Sequence, residues 1–466
     1  NKLRAMLTLF FVLTMLSCAS AELPRPESVA YADATVTLGA EGSFSGVITE
    51  HDGMIVRMLT FSEHGGQEIE RLEETLVIGD DVYSAREEDI NGNRYAVFEI
   101  KELLKYAKTP SFKASVKARV KRHSGLANGD FNKSADMAGG FTEATANIES
   151  DDAELIGFAE REFNGTGLEE IRQVAEWVNT NIEYDRKYYK GTWSAKETFE
   201  QRAGVCDEFA NLTAAFLRIN GVPARYISGV SYDGERFGNH GWIEAFVPER
   251  GWVAVDSTYG EAGYVDALHF IVSRARDADE VKSVMITTTS VNQIEIETTL
   301  LEPNVEVHSA RQFSGIVNAE MHGVVLESEQ EFGLTVMLEN LTKKEIIVPV
   351  ELNLHPDFAV IGQRRVLVLL AEGAEESVSF KAKAPKFEKE GMYGKYEYAL
   401  MLPDGNISGV LEVYPKGKSG LGGIVKQEDD ALGGLLTADN IALFAAVFVG
   451  AIVILTVLKL LLGRKG

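Results

Sequence analysis

The chain has little cysteine and a deficit of positive charge. It contains 2 cysteines, Cys18 and Cys206, in 466 residues, so it can build neither a multi-disulfide scaffold nor a cysteine-based zinc site. Its 46 lysines and arginines stand against 70 aspartates and glutamates, a formal charge of −24, and no basic stripe for nucleic-acid binding is visible. We therefore predict no nucleic-acid partner. No constellation of metal ligands stands out either, and we predict neither a metal nor a cofactor.

The bulk composition is that of an ordinary globular protein. Hydrophobic residues make up 45% of the chain and charged residues 25%, which excludes a largely disordered or fibrous protein. At about 150 residues per domain, the length predicts about three folded units.

The first residues have the pattern of a targeting segment. Lys2 and Arg4 precede the apolar run Ala5–Leu16, which ends in small residues. This pattern predicts a secretory signal peptide over residues 1–21, because an apolar run of about 12 residues is too short to span a bilayer. Lipoprotein processing at Cys18 is an alternative that the sequence leaves open.

A long apolar run lies near the other end of the chain. Ile441–Leu458 is 18 residues without a charge, and Lys459 and Arg464 follow it. We predict a transmembrane helix over 439–462 and, by the positive-inside rule, a cytoplasmic tail over 463–466. The expected protein spans the cell membrane once, with its bulk facing out of the cytoplasm.

Two regions have the short, alternating runs of β structure, separated by Gly, Asp and Asn turns. They predict a β-rich domain over 22–145 and a second β-sandwich over 276–416, and a flexible stalk is expected over 417–438. The strand-like runs of the first region are Thr35–Leu38, Met54–Phe61, Glu74–Ile78, Arg94–Ile100 and Ser115–Val120. Those of the second include Val291–Thr298, Val324–Glu327, Leu334–Leu338, Ile346–Leu352 and Val366–Leu370.

Between these regions the apolar period becomes helical. One helix is predicted over Ala153–Phe163, and capping boxes at Thr166–Glu169 and Ser194–Glu197 predict the starts of two more. A fourth is predicted over Cys206–Ile219, which Asn220–Pro223 terminates. Three strands are expected to follow, over Ala224–Val230, His240–Val247 and Trp252–Asp256.

Cys206 is the single cysteine that remains once the signal peptide is removed. An unpaired cysteine outside the cytoplasm is either an intermolecular bridge or a reactive thiol. Cys206 begins a helix, where first-turn N–H groups and the macrodipole favour a thiolate, so its pKa is expected to fall below about 8.5.

The last two predicted strands place a histidine near an aspartate. The strands, beginning at His240 and at Trp252, flank a Pro-Glu-Arg-Gly turn and predict a hairpin. Matching their apolar faces pairs Ile243 with Val255, and this register makes His240 the diagonal neighbour of Asp256.

Together these residues can form a nucleophile, a base and an orienting carboxylate: Cys206, His240 and Asp256. A lone cysteine is usually a small buried hydrophobe and a lone histidine usually a surface residue. The combination, with His240 and Asp256 on one face, favours catalysis over that interpretation.

The blocks that carry these residues resemble the core of the transglutaminase-like superfamily, in order and in spacing. The resemblance implies a papain-like core over 146–275, with Cys206 as nucleophile, His240 as general base and Asp256 as orienter. The expected fold class is thus α+β, a papain-like core flanked by two β-sandwich-like domains. One departure is Ser257, where proline commonly follows the aspartate. The matching blocks are Gly204–Ala210, Leu217–Tyr226, His240–Pro248 and Gly251–Thr258.

The resemblance implies an enzyme that forms a thioester with the acyl group of a peptide or protein amide. It leaves peptidase, deamidase and protein-crosslinking activity open. The N–H of Cys206 is expected to supply one oxyanion donor, and the second is unassigned, with Trp193 and Gln201 lying upstream. The alternative is a non-catalytic binding or structural protein of the cell envelope, engaging envelope polymers through its β domains.

Overall fold

The computed structural model describes residues 23–125, 139–188, 191, 193–248, 250–290, 294–321, 324–387 and 393–417. The predicted signal peptide, the stalk beyond residue 417, the transmembrane helix and the tail lie outside these residues. Within the described residues, no helix has both the length and the apolar character needed to cross a membrane.

In the described part of the first β unit, nine strands form two facing sheets. Their alternating burial places one face of each sheet in a shared core, as in β7, where every second residue from Phe112 to Arg122 is buried. The sheet orders are β16-β1-β7-β3-β4 and β15-β2-β6-β5. The strands are β1 Val29–Gly46, β2 Met54–Leu59, β3 Gln67–Ile78, β4 Asp81–Ser84, β5 Arg86–Ile90, β6 Asn93–Ile100, β7 Ser111–His123, β15 Val284–Thr288 and β16 Ile294–Gln312.

The pairing of β15 and β16 differs from our prediction. We expected Val291–Thr298 to belong to the second β-sandwich, but β16, which begins at Ile294, pairs antiparallel with β1 along its whole length. β15 likewise pairs with β2. Alternating burial identifies a strand but not its partner, and here the partner lies at the other end of the described chain.

Four helices and a five-stranded antiparallel sheet follow. The predicted helices are found as α1 Ala153–Glu162, α2 Leu168–Asn181, α3 Ala195–Gln201 and α4 Cys206–Ile219. The sheet has the order β13-β12-β11-β10-β14, with strands β10 Ala224–Tyr232, β11 Phe237–Val247, β12 Gly251–Asp256, β13 Glu261–Ala262 and β14 Phe270–Ala275. A separate parallel pair joins β8 Glu183–Tyr184 to β9 Ala203–Gly204.

One of the two predicted capping boxes is confirmed. Ser194 accepts from the backbone of Glu197, whose side chain bonds back to Ser194. The box expected at Thr166 is wrong, because Gly167 is the N-cap of α2 and turns the chain with a φ of 61°. Only glycine adopts that conformation without strain, and it starts the helix beyond the reach of the threonine.

The last β unit has two sheets, of orders β17-β19-β23-β21 and β18-β25-β24-β20-β22. Its core is continuous between the sheets, and Ile347 and Leu367 also pack against the helical core of the central unit. The strands are β17 Val317–Met321, β18 Val325–Glu327, β19 Glu331–Asn340, β20 Ile346–Leu354, β21 Ala359–Ile361, β22 Arg365–Leu370, β23 Glu375–Lys383, β24 Gly394–Leu402 and β25 Gly405–Tyr414.

A buried carboxylate ties the central sheet together next to the candidate site. Glu244 of β11 accepts from Arg225 Nε of β10 at 2.8 Å and from Arg274 Nε of β14 at 3.1 Å. Burial alone would raise the pKa of Glu244, but Arg274 and Arg225 hold it well below its usual range. The carboxylate is therefore ionised, and it provides the buried negative charge that balances the two guanidinium groups.

Replacing Glu244 with alanine should destabilise the fold by about 3–5 kcal/mol, because it leaves two guanidinium groups without their buried counter-charge. Urea unfolding of the purified full chain measures the change. The matched control is Glu88→Ala, which removes a half-exposed partner of Arg57 at 3.2 Å and should cost at most about 1 kcal/mol. Equal unfolding midpoints for the two variants would contradict the prediction.

Candidate active site

The three predicted site residues lie on three elements of the central unit. Cys206 is the first residue of α4, His240 lies in β11 and Asp256 ends β12. His240 Nε2 lies 2.6 Å from Asp256 Oδ2, and all three side chains are buried. Cys206 and His240 line one cleft of about 690 Å³.

The predicted strand register produces this contact. β11 and β12 pair with Ile243 opposite Val255 and Phe246 opposite Trp252, as their apolar faces indicate. Because side chains alternate between the two faces of a sheet, this register puts His240 and Asp256 on the same face.

Residues from two units of the chain line the cleft. The central unit contributes Asp207 and Tyr259 beside the thiol and the imidazole. Strand β16 of the first β unit contributes Leu300 and Glu302. The second oxyanion donor was left unassigned by the sequence, and Trp193 and Gln201, which lie upstream of Cys206, are not among the residues that line the cleft.

A buried glutamate fixes the start of the helix that carries Cys206. Glu208 Oε2 accepts from the N–H of Val205 at 2.8 Å, and Oε1 accepts from the N–H of Trp193 at 2.7 Å. Gly204 allows this approach, since a Cβ there would lie 2.4 Å from the Cβ of Glu208. The sulfur is thus held at a rigid helix N-terminus.

The protonation state of Cys206 differs from the sequence prediction. Burial raises the pKa of the thiol well above its usual value, and the Asp207 carboxylate adds to that shift. The backbone N–H of Gly241, hydrogen-bonded to the sulfur, opposes it. The helix N-terminus alone suggested a thiolate, but desolvation disfavours the charged form more strongly. The resting group is therefore a thiol that needs a base.

Asp207, which the sequence analysis passed over, is the immediate polar neighbour of that thiol. Its Oδ1 accepts from the Tyr226 hydroxyl at 2.6 Å and from Cys206 Sγ at 3.7 Å. Asp207 therefore contacts β10 through Tyr226, and it also lies next to Gly241 of β11.

The imidazole of His240 is fixed at one nitrogen and on one face. Nε2 is engaged by Asp256, and the ring stacks on Tyr259 at 4.7 Å between centroids and 8° between planes. The Tyr259 hydroxyl in turn lies 3.1 Å from Ser231 Oγ. With Nε2 held by the carboxylate, Nδ1 is the nitrogen left to exchange a proton.

Both carboxylate oxygens of Asp256 accept hydrogen bonds. Oδ1 accepts from the N–H groups of Thr258 at 2.8 Å and Tyr259 at 3.3 Å. Burial would raise its pKa, but the imidazoles of His240 and His269 hold it well below the usual range. Asp256 is therefore ionised and cannot rotate away from His240.

Ser257, the residue that departs from the superfamily pattern, links β12 to α4. Ser257 Oγ lies 2.7 Å from Thr213 Oγ1 of α4, and Thr213 donates its one hydroxyl hydrogen to the carbonyl of Phe209. Ser257 is consequently the donor in the pair. This bond ties the end of β12 to the helix that carries Cys206.

A second histidine meets Asp256, and sequence reasoning gave it no role. His269 is fully buried, and its Nε2 lies 3.1 Å from the same Oδ2 that binds His240. Its Nδ1 lies 3.2 Å from Asp266 Oδ2. No periodicity links the residue to Asp256, and the sole hint in the sequence was that few histidines occur in this region.

Among the described residues, two groups of buried side chains bring possible ligand atoms within 4.8 Å of one another: His240, Asp256 and His269, and Glu261, Asp266 and His269. Hydrogen bonds and ion pairs among the side chains account for the first group. In the second, burial and the Asp266 carboxylate raise the pKa of Glu261 well above normal, so that it is protonated. We assign none of these residues as metal ligands.

Gly241 should prove essential to the alignment of the site. A Cβ at this position would lie 2.2 Å from the Tyr226 hydroxyl and 2.5 Å from Asp207 Oδ1, so Gly241→Ala must displace one of them. The clash pushes β11 away from the helix start and so weakens the Gly241 N–H bond that lowers the pKa of the thiol. Alkylation of Cys206 by iodoacetamide, measured by peptide mapping, should therefore slow on the order of tenfold, as expected for about one unit of thiol pKa.

Gly238→Ala is the matched control on the same strand, since a Cβ there meets nothing within 4 Å. An unchanged alkylation rate in Gly241→Ala would show that this glycine does not hold the site together.

Comparison with known proteins places the site in a family. Residues 158–257 match the family model of the transglutaminase-like superfamily. A protein-glutamine gamma-glutamyltransferase of Pseudomonas aeruginosa is 37% identical over 73 residues, 13% of this chain and 11% of that protein. An uncharacterized protein of Mycobacterium tuberculosis is 28% identical over 142 residues, 27% of this chain and 45% of that protein. The chain thus spans less than half the length of these curated relatives.

Two solved structures are similar over larger shares of the chain. A candidate cysteine protease from Cytophaga hutchinsonii covers 58% of this chain and 93% of its own, at 21% identity and a TM-score of 0.41. Red sea bream transglutaminase covers 79% of this chain and 95% of its own, at 10% identity and a TM-score of 0.22. With the family match over residues 158–257, we conclude that the chain contains a transglutaminase-like superfamily domain.

Proposed function

We propose that this protein is a membrane-anchored thiol enzyme that acts outside the cytoplasm on amide bonds of peptides or proteins. Cys206 is the nucleophile, His240 the general base and Asp256 the orienting carboxylate. The observation that carries the proposal is the 2.6 Å hydrogen bond from His240 to Asp256 at a cleft that Cys206 and His240 both line. The superfamily match over residues 158–257 supports it independently.

The chemistry begins with a proton transfer. Because the raised pKa keeps Cys206 as a thiol, His240 takes the thiol proton at Nδ1 as the sulfur attacks the carbonyl carbon. Asp256 stabilises the imidazolium that forms, and it holds the ring so that Nδ1 is the reacting nitrogen. His240 then returns the proton to the departing amine, which leaves a thioester on Cys206.

The backbone N–H of Cys206 is our candidate for one oxyanion donor. It lies in the first turn of α4, where N–H groups have no intrahelical acceptor. Glu208 keeps that turn rigid through its bonds to Val205 and Trp193, so the donor is held in place before the charge develops.

The acceptor of the acyl group decides the reaction. Water would complete hydrolysis or deamidation, whereas a lysine amine would complete crosslinking. The cleft carries both signs of charge, with Arg186 and Arg236 beside Asp233 and Glu302, which suits a polypeptide better than a small acid or base. Leu300 and Glu302 belong to the first β unit, so we expect that unit to contact the substrate.

The cellular location in this proposal comes from the sequence alone. The apolar run Ile441–Leu458 and the basic residues after it favour a single span with the enzyme outside the cytoplasm. Loss of the domain from intact cells treated with protease would support this orientation, and loss from permeabilised cells alone would oppose it.

Replacing Cys206 with alanine should abolish thioester formation while the unfolding midpoint stays nearly unchanged, since one sulfur atom is removed. His240→Ala should cost on the order of 10²–10⁴-fold through loss of the base. Asp256→Asn should cost less, because the imidazole stays but loses its ionised partner. The full chain is incubated with a glutamine-containing peptide library, with and without a fluorescent primary amine, and products are followed by mass spectrometry.

Selective alkylation of Cys206 by iodoacetamide provides a measure that needs no substrate, and peptide mapping separates any labelling of Cys18. A wild-type chain that neither acylates nor alkylates at Cys206 would overturn the proposal. That result would favour a non-catalytic envelope-binding protein with a vestigial site.

A further inference from the structure

The buried histidine behind the candidate triad contacts two carboxylates and is used by no step above. His269 lies with its Nε2 3.1 Å from Asp256 Oδ2 and its Nδ1 3.2 Å from Asp266 Oδ2. Its side chain has no exposed surface, so it cannot contact a substrate.

We infer that His269 is a positioning residue of the proposed catalytic centre: it bonds Oδ2 of Asp256 and pairs with Asp266, so that Asp256 stays in position to orient His240. The inference rests on the proposed function of Cys206, His240 and Asp256.

The first part of the argument is geometric. Asp256 receives donors at both oxygens: the N–H groups of Thr258 and Tyr259 at Oδ1, and the two histidine rings at Oδ2. His269 supplies one of the two donors at Oδ2, and its other nitrogen lies within ion-pair distance of Asp266. Asp266 is itself anchored, since its Oδ1 accepts from the N–H of Leu268 at 2.6 Å.

The second part concerns the proton on His269. Asp256 is ionised and can only accept, and the carboxylate of Asp266 also faces an imidazole nitrogen. Nδ1 and Asp266 Oδ2 are 3.2 Å apart, within ion-pair distance although not aligned for a hydrogen bond, so a positive charge on the ring faces both carboxylates. Burial would lower the pKa of His269, but Asp266 and the hydrogen bond to Asp256 raise it to about 10. The neighbouring Glu261 is protonated and accepts from the N–H of Asp266 at 3.1 Å.

The third part is the effect on His240. His240 and His269 bond the same oxygen of Asp256, so a protonated His269 offsets the carboxylate charge that faces His240. The titratable groups that face the two rings are Asp256, Asp266, Glu261 and Tyr259.

The test is the pH dependence of Cys206 alkylation by iodoacetamide in the full chain. His269→Gln keeps one N–H donor for Asp256 but removes the charge, so the acid limb of the profile should move to higher pH by about one unit or more. Asp266→Asn should move it in the same direction. His308→Gln, at an exposed histidine of β16, is the matched control and should leave the profile in place.

The outcomes separate the two proposals. A wild-type chain without selective alkylation of Cys206 overturns the proposed function itself. A reactive wild type with an unchanged acid limb in a folded His269→Gln or Asp266→Asn variant overturns the role of His269 alone. If both variants misfold, ¹⁵N NMR of the wild-type chain, labelled at histidine, decides the matter: both His269 nitrogens should stay protonated at neutral pH, and a neutral His269 ring overturns the inference.

The protonation of His269 should also change the stability of the fold. The pKa of His269 is raised from 6.5 to about 10, so its contribution is fully present below pH 6.5 and is lost as the pH rises toward 10. The difference in melting temperature between wild type and His269→Gln should therefore be largest below pH 6.5 and shrink at higher pH. A difference independent of pH would indicate that His269 contributes by packing and not by charge.

Discussion

The pairing of β11 with β12 determines whether His240 and Asp256 of the candidate site can meet. With Ile243 opposite Val255, His240 and Asp256 lie on the same face and meet at 2.6 Å. A shift of one residue would turn one of them to the other face of the sheet. The shift is prevented by the apolar residues of both strands, which are buried against the helices and have no favourable place elsewhere.

The site depends on burial as much as on geometry. Burial raises the pKa of the Cys206 thiol, while neighbouring positive groups keep Asp256 ionised. In the proposed mechanism, His240 carries the proton from the thiol to the leaving amine while Asp256 stays ionised. His269, which we infer to position Asp256, bonds it from a buried place that no substrate can reach.

The surrounding β units do more than flank the core. β16, from beyond the central unit in sequence, returns to pair with β1 and sends Leu300 and Glu302 into the cleft. The buried Glu244 joins three strands of the central sheet, one of which carries His240. The candidate site is thus assembled from residues that lie far apart along the chain.

The sequence by itself determined the elements and contacts that arise from local patterns. The helix from Cys206 to Ile219, the hairpin register and the neighbouring of His240 and Asp256 were all predictable, because apolar period and turn residues act over a few positions. The partner of β16, the closeness of Asp207 to the thiol and the role open to His269 were decided only by the tertiary structure. They join segments with no shared period. The predicted pKa of Cys206 was wrong for the same reason. The helix N-terminus is a local feature, but the desolvation of the sulfur comes from the strands packed around it.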